Sequence, residues 1–505
     1  MEDGGLFFFC DMAGSEVKMV LREIRAGSLW SLTCLMFLLL LSGCFSHVQH
    51  LPRVDKTVEV FPPLPDRPTV LVGVALSGGG SRAAYFGAAG LDALARVRVG
   101  PVGRSVLEDV SYLSSVSGGS LAASYFAMRK PDHGVNVLDE NGSFTADYSR
   151  FFDQYRTAMS DNYQWALEWR QFVNIRWFNS NQRATSLAEA LAAGFLGEAT
   201  FSNLYQREHD QHSPRLILNA TLYNTGQRVV MTTVPREDFQ YKFVDILQDG
   251  LKDELKKKGK EPTQIRPLPP ALQSAQGTLI PLTFQDREAD VRQVALAKAV
   301  AASASFPFFI GPITVQVHGD DNTYLHVGDG GLFDNQGTES LAQLFLNKLH
   351  DGKAARALVI AFDSSFPFWG KNKKLDGMEN GFDIFVKDSG RVVGIMEHRA
   401  NAYQAMVWHI LQSQGIVLPG DSIIRVIVMR HTDDVWPMDW KAALPPKCRE
   451  DEAAFTKRED VLQRLANIPT LFKIACDCDR ELLQAAAAYG VGKHQADIVN
   501  FLQGR

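Results

Sequence analysis

Three short stretches of this sequence carry residues that can act together on a carbonyl group. "SSVSGGS", Ser114–Ser120, sets Ser117 between an apolar, β-prone run and "LAASYFAM", which reads as a helix. "GGGSR", Gly78–Arg82, follows the apolar "TVLVGVALS" and opens an Ala/Leu-rich segment. "DGG", Asp329–Gly331, closes the run "YLHVG". A serine hydroxyl is a poor nucleophile until a base takes its proton, and Asp329 is the candidate base. A strand-to-helix elbow presents such a serine only if its neighbours are small, and Ser115, Gly118 and Gly119 are. Acyl transfer also needs donors for an oxyanion, and glycine amides approach one closely because no Cβ intervenes. Gly78, Gly79 and Gly80 are the expected donors, with Arg82 either bracing their loop or adding positive potential for a phosphate-bearing substrate.

These stretches need a scaffold that brings them together. Thr69–Ser77 is long enough for one buried strand. The grammar of strand, small-residue turn and helix recurs at Asp109–Arg129, and two such units argue for a parallel sheet covered by helices. In open α/β sheets the ligand crevice lies beyond the carboxyl ends of the strands, where all three stretches are expected. Arg215–Val234 alternates around Asn224-Thr225-Gly226 and reads as a hairpin. A second hairpin from Ile313 delivers Asp329 at a strand end, after a helix over Val291–Phe309 stopped by Pro307. "ALVIAFDSS" and "IIRVIVMRH" are further buried strands.

Each residue also has a plainer reading. Ser117 alone fits a helix N-cap, and Asp329 before two glycines fits a turn. The glycine run alone fits a phosphate cradle, but "GGGSR" lacks both the Gly-Lys-Ser/Thr of a P-loop and the spaced glycines of a dinucleotide fold. "HDQH", His209–His212, stands in polar sequence without further ligands, so no metal site is expected there.

Taken together, the stretches resemble the patatin-like phospholipase family over roughly residues 69–340. The family's glycine-rich motif matches Gly78, Gly79, Gly80 and Arg82, and its G-x-S-x-G elbow matches Ser115–Gly119. Its D-G-G/A motif matches Asp329, Gly330 and Gly331, and "ASASFPFFIGPITV" and "LFDNQG" resemble the flanking blocks. The resemblance implies an α/β fold, three-layer α/β/α with a mainly parallel central sheet. It implies a Ser117–Asp329 dyad without histidine, a lipid ester such as a phospholipid as substrate, and no cofactor or metal. Two departures stand out: Ser115 replaces the elbow's first glycine, and Ala83 follows Arg82. The rival readings are a non-catalytic envelope lipoprotein that binds lipid or protein, and an acyltransferase using the same dyad.

Composition is that of a globular chain: 505 residues, 46% apolar, 22% charged. A net charge of −5 gives no reason to expect a nucleic-acid partner. Near the start, Arg22 and Arg25 precede an apolar run, Leu29–Leu41, too short for a membrane span. The run ends in Leu41-Ser42-Gly43-Cys44, which looks like a bacterial lipobox. Residues 1–43 then form a removable signal, with Met19 a candidate true start, and Cys44 carries acyl chains that tether the chain to a membrane. Phe45 after Cys44 favours the outer membrane. Residues 44–68, with four prolines in Phe61–Thr69, read as a stiff linker. The hydrolase domain is expected over 69–435, with a helical extension over 436–505. Region 131–213 reads as an insertion whose aromatic stripes are either core or a lip that meets acyl chains. An exported chain can form disulfides, so Cys448 is expected to pair with Cys476 or Cys478.

Overall fold

The computed structural model describes residues 47–504, apart from 56, 66–69, 101–103, 175, 177–178, 241–247, 250–251, 254, 262–276, 278, 308, 320–322, 366–383, 414–421, 434 and 451–453. The signal, Met19 and Cys44 lie outside the described residues. The strands of the main sheet are β1 (Val48–Leu51), β2 (Val70–Leu76), β3 (Val110–Val116), β4 (Arg215–Leu222), β5 (Arg228–Thr232), β6 (Leu282–Thr283), β7 (Ile313–Val317), β8 (Leu325–Asp329), β9 (Arg356–Asp363) and β10 (Ile423–Arg430), and Arg98–Val99 pairs with Arg104–Ser105 in a separate two-stranded sheet. The main sheet has the order β1-β7-β8-β4-β3-β2-β9-β10, with β5 and β6 branching from β4. From β4 through β10 the pairs are parallel.

The main helices are α1 (Gly80–Ala95), α2 (Gly118–Arg129), α3 (Ala146–Ser160), α4 (Tyr163–Val173), α5 (Ser180–Leu191), α6 (Phe201–His209), α7 (Leu296–Ser303), α8 (Thr338–His350), α9 (Ile384–Ser413), α10 (Arg458–Ala466) and α11 (Asp477–Gln503). Helices cover both faces of the sheet, the three-layer α/β/α arrangement the sequence implies. A strand buried on both sides reads as a continuous apolar run, and β2 shows why. Val72, Val74 and Leu76 enter the core shared with α1, α2 and α11, while Leu71 and Ala75 enter the core under α8.

The C-terminal helices are part of this body rather than an appendage. Leu482, Leu483, Ala486, Ala487 and Val491 of α11 join the α1–α2 core. The disulfide joins Cys448 to Cys478 and leaves Cys476 free. The proline-rich stretch likewise differs from a free linker in its described part. Phe61 is buried and stacks on Tyr205 at 5.2 Å, and the Leu64 and Pro65 carbonyls accept from Arg215 at 2.8 Å. Upstream of it, β1 already pairs with β7 at the sheet edge. Pro62, Pro63 and Pro65 therefore lie along the surface of a body of which β1 is already part.

Helix α7 is shorter than the expected Val291–Phe309. Ala295 is held in a bridge to Thr200, and the chain leaves the helix after Ser303, well before Pro307. The early exit places Ser303 against the elbow. In region 131–213 the aromatic stripes divide. Phe151, Phe152, Tyr155 and Met159 of α3, with Tyr163, are core, whereas Trp165, Trp169 and Phe172 of α4 face outward. Trp177 and Phe178 lie outside the described residues.

Candidate active site

The sheet's register brings Ser117 and Asp329 together. One edge of β4 pairs with β5, so β3 and β8 must share the other. Parallel β3 occupies that edge up to Asn219, which pairs with Val116. Antiparallel β8 occupies it from Ala220, which pairs with Asp329. Two strands running in opposite directions thus end nose to nose. Asp329 reaches the crevice from the far side, not from beyond a parallel strand's carboxyl end as the sequence suggested.

Ser117 adopts φ 50° and ψ −121° at the start of α2. A residue with a Cβ rarely adopts this conformation, and such strain costs on the order of 1–3 kcal/mol. It persists because neighbours fix it. The Ser117 amide donates to Ser303 Oγ at 3.1 Å, and Ser303 Oγ donates to the Asn219 carbonyl at 2.6 Å. The plain reading of Ser117 as a capping serine does not apply: its hydroxyl makes no cap bond and donates to Asp329 Oδ2 at 2.8 Å. Ser115 is ordinary strand, so glycine's freedom is not needed there, and its hydroxyl bonds Ser120 at 3.1 Å. Ala83 is simply a buried residue of α1.

The glycine loop lies directly on the elbow. A Cβ on Gly118 would stand 2.7 Å from the Gly80 nitrogen and closer still to its carbonyl. Gly119 is pressed on the Leu76 and Ser77 carbonyls, and its amide donates to Ser77 O at 3.1 Å. Gly79 adopts φ 136°, which side chains resist. Of the three expected donors, Gly78 is engaged: its amide donates to the Asn335 carbonyl at 2.9 Å. The Gly79 and Gly80 amides have no hydrogen-bond partner among the described residues. Arg82 is a brace. Its buried guanidinium donates to the carbonyls of Ile468 (2.8 Å) and Ser364 (2.7 Å), while the neighbouring Ser81 amide donates to Leu471 O at 2.7 Å. Burial lowers its pKa to about 10, which leaves it charged at neutral pH.

Asp329 is buried, and burial raises its pKa to about 6 against the pull of its two donors. Those donors are Ser117 and the Gly331 amide, 2.8 Å from Oδ1. Gly330 packs on the Asn219 backbone, where a Cβ would lie 2.8 Å from the carbonyl carbon. No histidine bonds Ser117 or Asp329 among the described residues. The sequence reading missed Asn335 and Glu397. The Asn335 side chain lies between the glycine loop and Gly331, and its Nδ2 donates to Glu397 Oε2 at 3.1 Å. Glu397, on α9, has its pKa pushed up to about 8, chiefly by burial and then by Asp329. Asn335 sits in the "LFDNQG" block, which was a signal; nothing marked Glu397 in the sequence.

The chain resembles solved structures of human GIVD cytosolic phospholipase A2, at 12% identity and TM-score 0.44, covering 86% of this chain and 60% of that one. It also resembles VipD from Legionella pneumophila, at 13% identity and TM-score 0.24, covering 72% of this chain and 61% of that one. The chain thus spans about three fifths of the length of these structures. No curated protein matches it in sequence. The sequence profile of the patatin-like phospholipase family matches residues 74–342, more than half of the chain and all three stretches that build the site. The chain therefore belongs to the patatin-like phospholipase family, whose members are lipid hydrolases.

Proposed function

We propose that this protein is a serine lipid acyl hydrolase of phospholipase A, lysophospholipase or esterase type. Ser117 Oγ attacks the ester carbonyl as its proton passes to Asp329 Oδ2. The oxyanion that forms is held by the Gly79 and Gly80 amides, with the Gly118 amide beside them at the start of α2. Gly78 serves from behind, through its bond to Asn335. The intermediate collapses, the C–O bond breaks, and the leaving alcohol takes the proton from Asp329. Water then gives a proton to Asp329 and attacks the acyl-enzyme, and Ser117 leaves with that proton restored. Removing one such oxyanion donor costs about 2.7–4 kcal/mol in comparable sites.

One observation carries this reading: the 2.8 Å bond that takes the Ser117 hydroxyl away from helix capping and gives it to a buried carboxylate. Ser117→Ala should abolish both ester hydrolysis and labelling by a fluorophosphonate. Undiminished labelling would mean another nucleophile. A panel of phospholipids, lysophospholipids and short esters, with and without alcohol acceptors, identifies the substrate and separates hydrolysis from acyl transfer.

The same proposal includes the location. A signal over residues 1–43 and acylation at Cys44 would tether the enzyme to a bacterial membrane, the outer one by the Phe45 criterion. The support is the coincidence of an apolar run with a four-residue box.

A further inference from the structure

Two features outside the dyad lie at one corner of the molecule. The first is the outward face of α4. Trp165, Trp169, Phe172 and Val173 follow helical spacing and are all more than half exposed, Phe172 at 76%. The two indoles stack with their planes 2° apart and their centres 5.9 Å apart. A helix normally turns such a stripe inward; here the inward face is supplied by Tyr163, Leu167 and Gln171. From Tyr163 to Arg183 the only acid is Glu168, against Arg170, Arg176 and Arg183. Arg183 of α5 donates to the Phe309 carbonyl at 3.3 Å, and the Phe309 ring is itself half exposed.

The second feature is the segment that leads into β1. His47 precedes β1, and β1 pairs with β7 along Val48–Leu51. Lys298 of α7 donates to Gln49. Arg176, three residues beyond Val173, is paired with Glu189 of α5 at 2.8 Å and bonds Ser186 at 3.2 Å. The charges of Lys298, Arg176 and Glu189 all act on His47. Since α5, which holds Arg176 through Glu189, packs against α7, which holds Gln49 through Lys298, His47 lies on the side of the molecule where α4 ends. Cys44 is three residues further out, a reach of at most about 11 Å for extended chain.

We propose that the α4 face Trp165, Trp169, Phe172 and Val173 is the surface on which the protein lies on an anionic lipid membrane, with the acyl chains of Cys44 entering that membrane next to it. The inference rests on the reading of Cys44 as lipidated. Indole rings favour the headgroup boundary, where one edge is apolar and the other wet. With Arg176 paired to Glu189, the cation left beside the rings to suit anionic lipid is Arg170 of the same helix, and an anchor this short holds the adjoining surface at the bilayer. A docked α4 also bears on the site. Gln164 accepts from the Phe472 amide at 3.4 Å and its own amide donates to Phe472 O at 3.0 Å, and this segment carries the Leu471 carbonyl that holds Ser81. Lipid would then be presented beside the glycine loop.

The test uses the full chain, processed in a bacterial host and placed in phosphatidylglycerol-containing vesicles with brominated acyl chains. Quenching of tryptophan fluorescence is expected in the wild type and should largely vanish in W165F/W169F. A second arm uses Cys44→Ser, which removes the anchor. Its flotation with the same vesicles should weaken about tenfold or more when Trp165, Trp169 and Phe172 all become serine, given the apolar area each ring withdraws from water. Mass spectrometry of Cys44 separates the two readings. An unmodified Cys44 sinks the anchor and the proposed seating with it. A lipidated Cys44 with quenching untouched by W165F/W169F sinks the seating alone. So does light scattering that shows α4 pairing two copies of the chain.

Discussion

The elbow and the glycine loop touch each other, yet they are held in opposite ways. Ser117 is fixed from within the family-matched region, by the register of β3, β4 and β8 and by Ser303. The glycine loop is fixed largely from outside it. Arg82 bonds a carbonyl 386 residues away, and Ser81 bonds Leu471 in the same C-terminal stretch. That stretch runs between α10 and α11 inside the loop closed by Cys448–Cys478. The proposed nucleophile thus belongs to the common fold, while its proposed oxyanion donors are braced by a part of the chain that the family profile does not cover.

The strongest way to break the elbow half is Asp329→Asn. The amide fits the same space, but it cannot take the Ser117 proton. Turnover should fall by roughly 10⁴-fold, the scale seen when the acidic member of a serine triad is amidated. Folding should survive, because the sheet register does not depend on the charge. A variant that keeps most of its turnover would remove Asp329 from the chemistry.

The glycine-loop half is tested through the disulfide. Cys448→Ser with Cys478→Ser, or reduction by a dithiol, frees a loop of 30 residues in sequence separation. Loop-closure entropy puts the loss of stability at about 3–4 kcal/mol. If the C-terminal stretch positions Gly79 and Gly80, kcat should fall by about ten- to a hundredfold at temperatures where the protein remains folded, less than outright loss of a donor. The pH midpoint of activity should stay where it was, because the elbow is untouched. A large stability loss with unchanged kcat would show that the loop holds itself.

This division also explains what could be read from the sequence. The strands, the two strand–turn–helix units and the Ser117–Asp329 pair were legible, because apolar runs and small-residue turns are local signals. The direction from which β8 arrives was not, since register depends on which edge of β4 is already taken by β5. Arg82 left two roles open because its partners are backbone carbonyls, which no residue type announces. Gly78 was grouped with its neighbours for the same reason: its amide is consumed by the Asn335 carbonyl. Reading residues 44–68 as linker weighed the prolines and overlooked the four residues of β1, too short a run to stand out.

pH sharpens the comparison, since only the elbow half contains a carboxylate that the proposed chemistry uses. Asp329 must be ionised to act as a base, so activity should halve near pH 6 and fall about tenfold per unit below it. Stability should move the other way. The folded pKa is raised above the ordinary 3.8, so the folded state holds this proton more tightly than the unfolded chain does. Its contribution is fully present below about pH 4 and is lost as pH rises through about 6. Above that, the ionised group costs roughly 3 kcal/mol. Asp329→Asn should therefore melt above the wild type at pH 8 and approach it near pH 4. Equal melting curves at both pH values would mean that Asp329 is not under this burden.

The smallest effect isolates the strain at Ser117. Ser117→Ala and Ser117→Gly both lack the hydroxyl and both leave Asp329 with one donor. They differ in the backbone alone, for alanine must still be forced to φ 50° whereas glycine adopts it freely. Strain of about 1–3 kcal/mol, less the roughly 0.5–1 kcal/mol of extra chain entropy that glycine loses on folding, leaves glycine ahead by about 1 kcal/mol. Denaturant midpoints at pH 4, where Asp329 is protonated, would measure the difference without the carboxylate's charge. If alanine came out ahead of glycine by about 0.5–1 kcal/mol, the entropy difference alone, the elbow would bear no strain, and the Ser303 bond to the Ser117 amide would be incidental packing rather than the restraint that keeps the proposed nucleophile aimed.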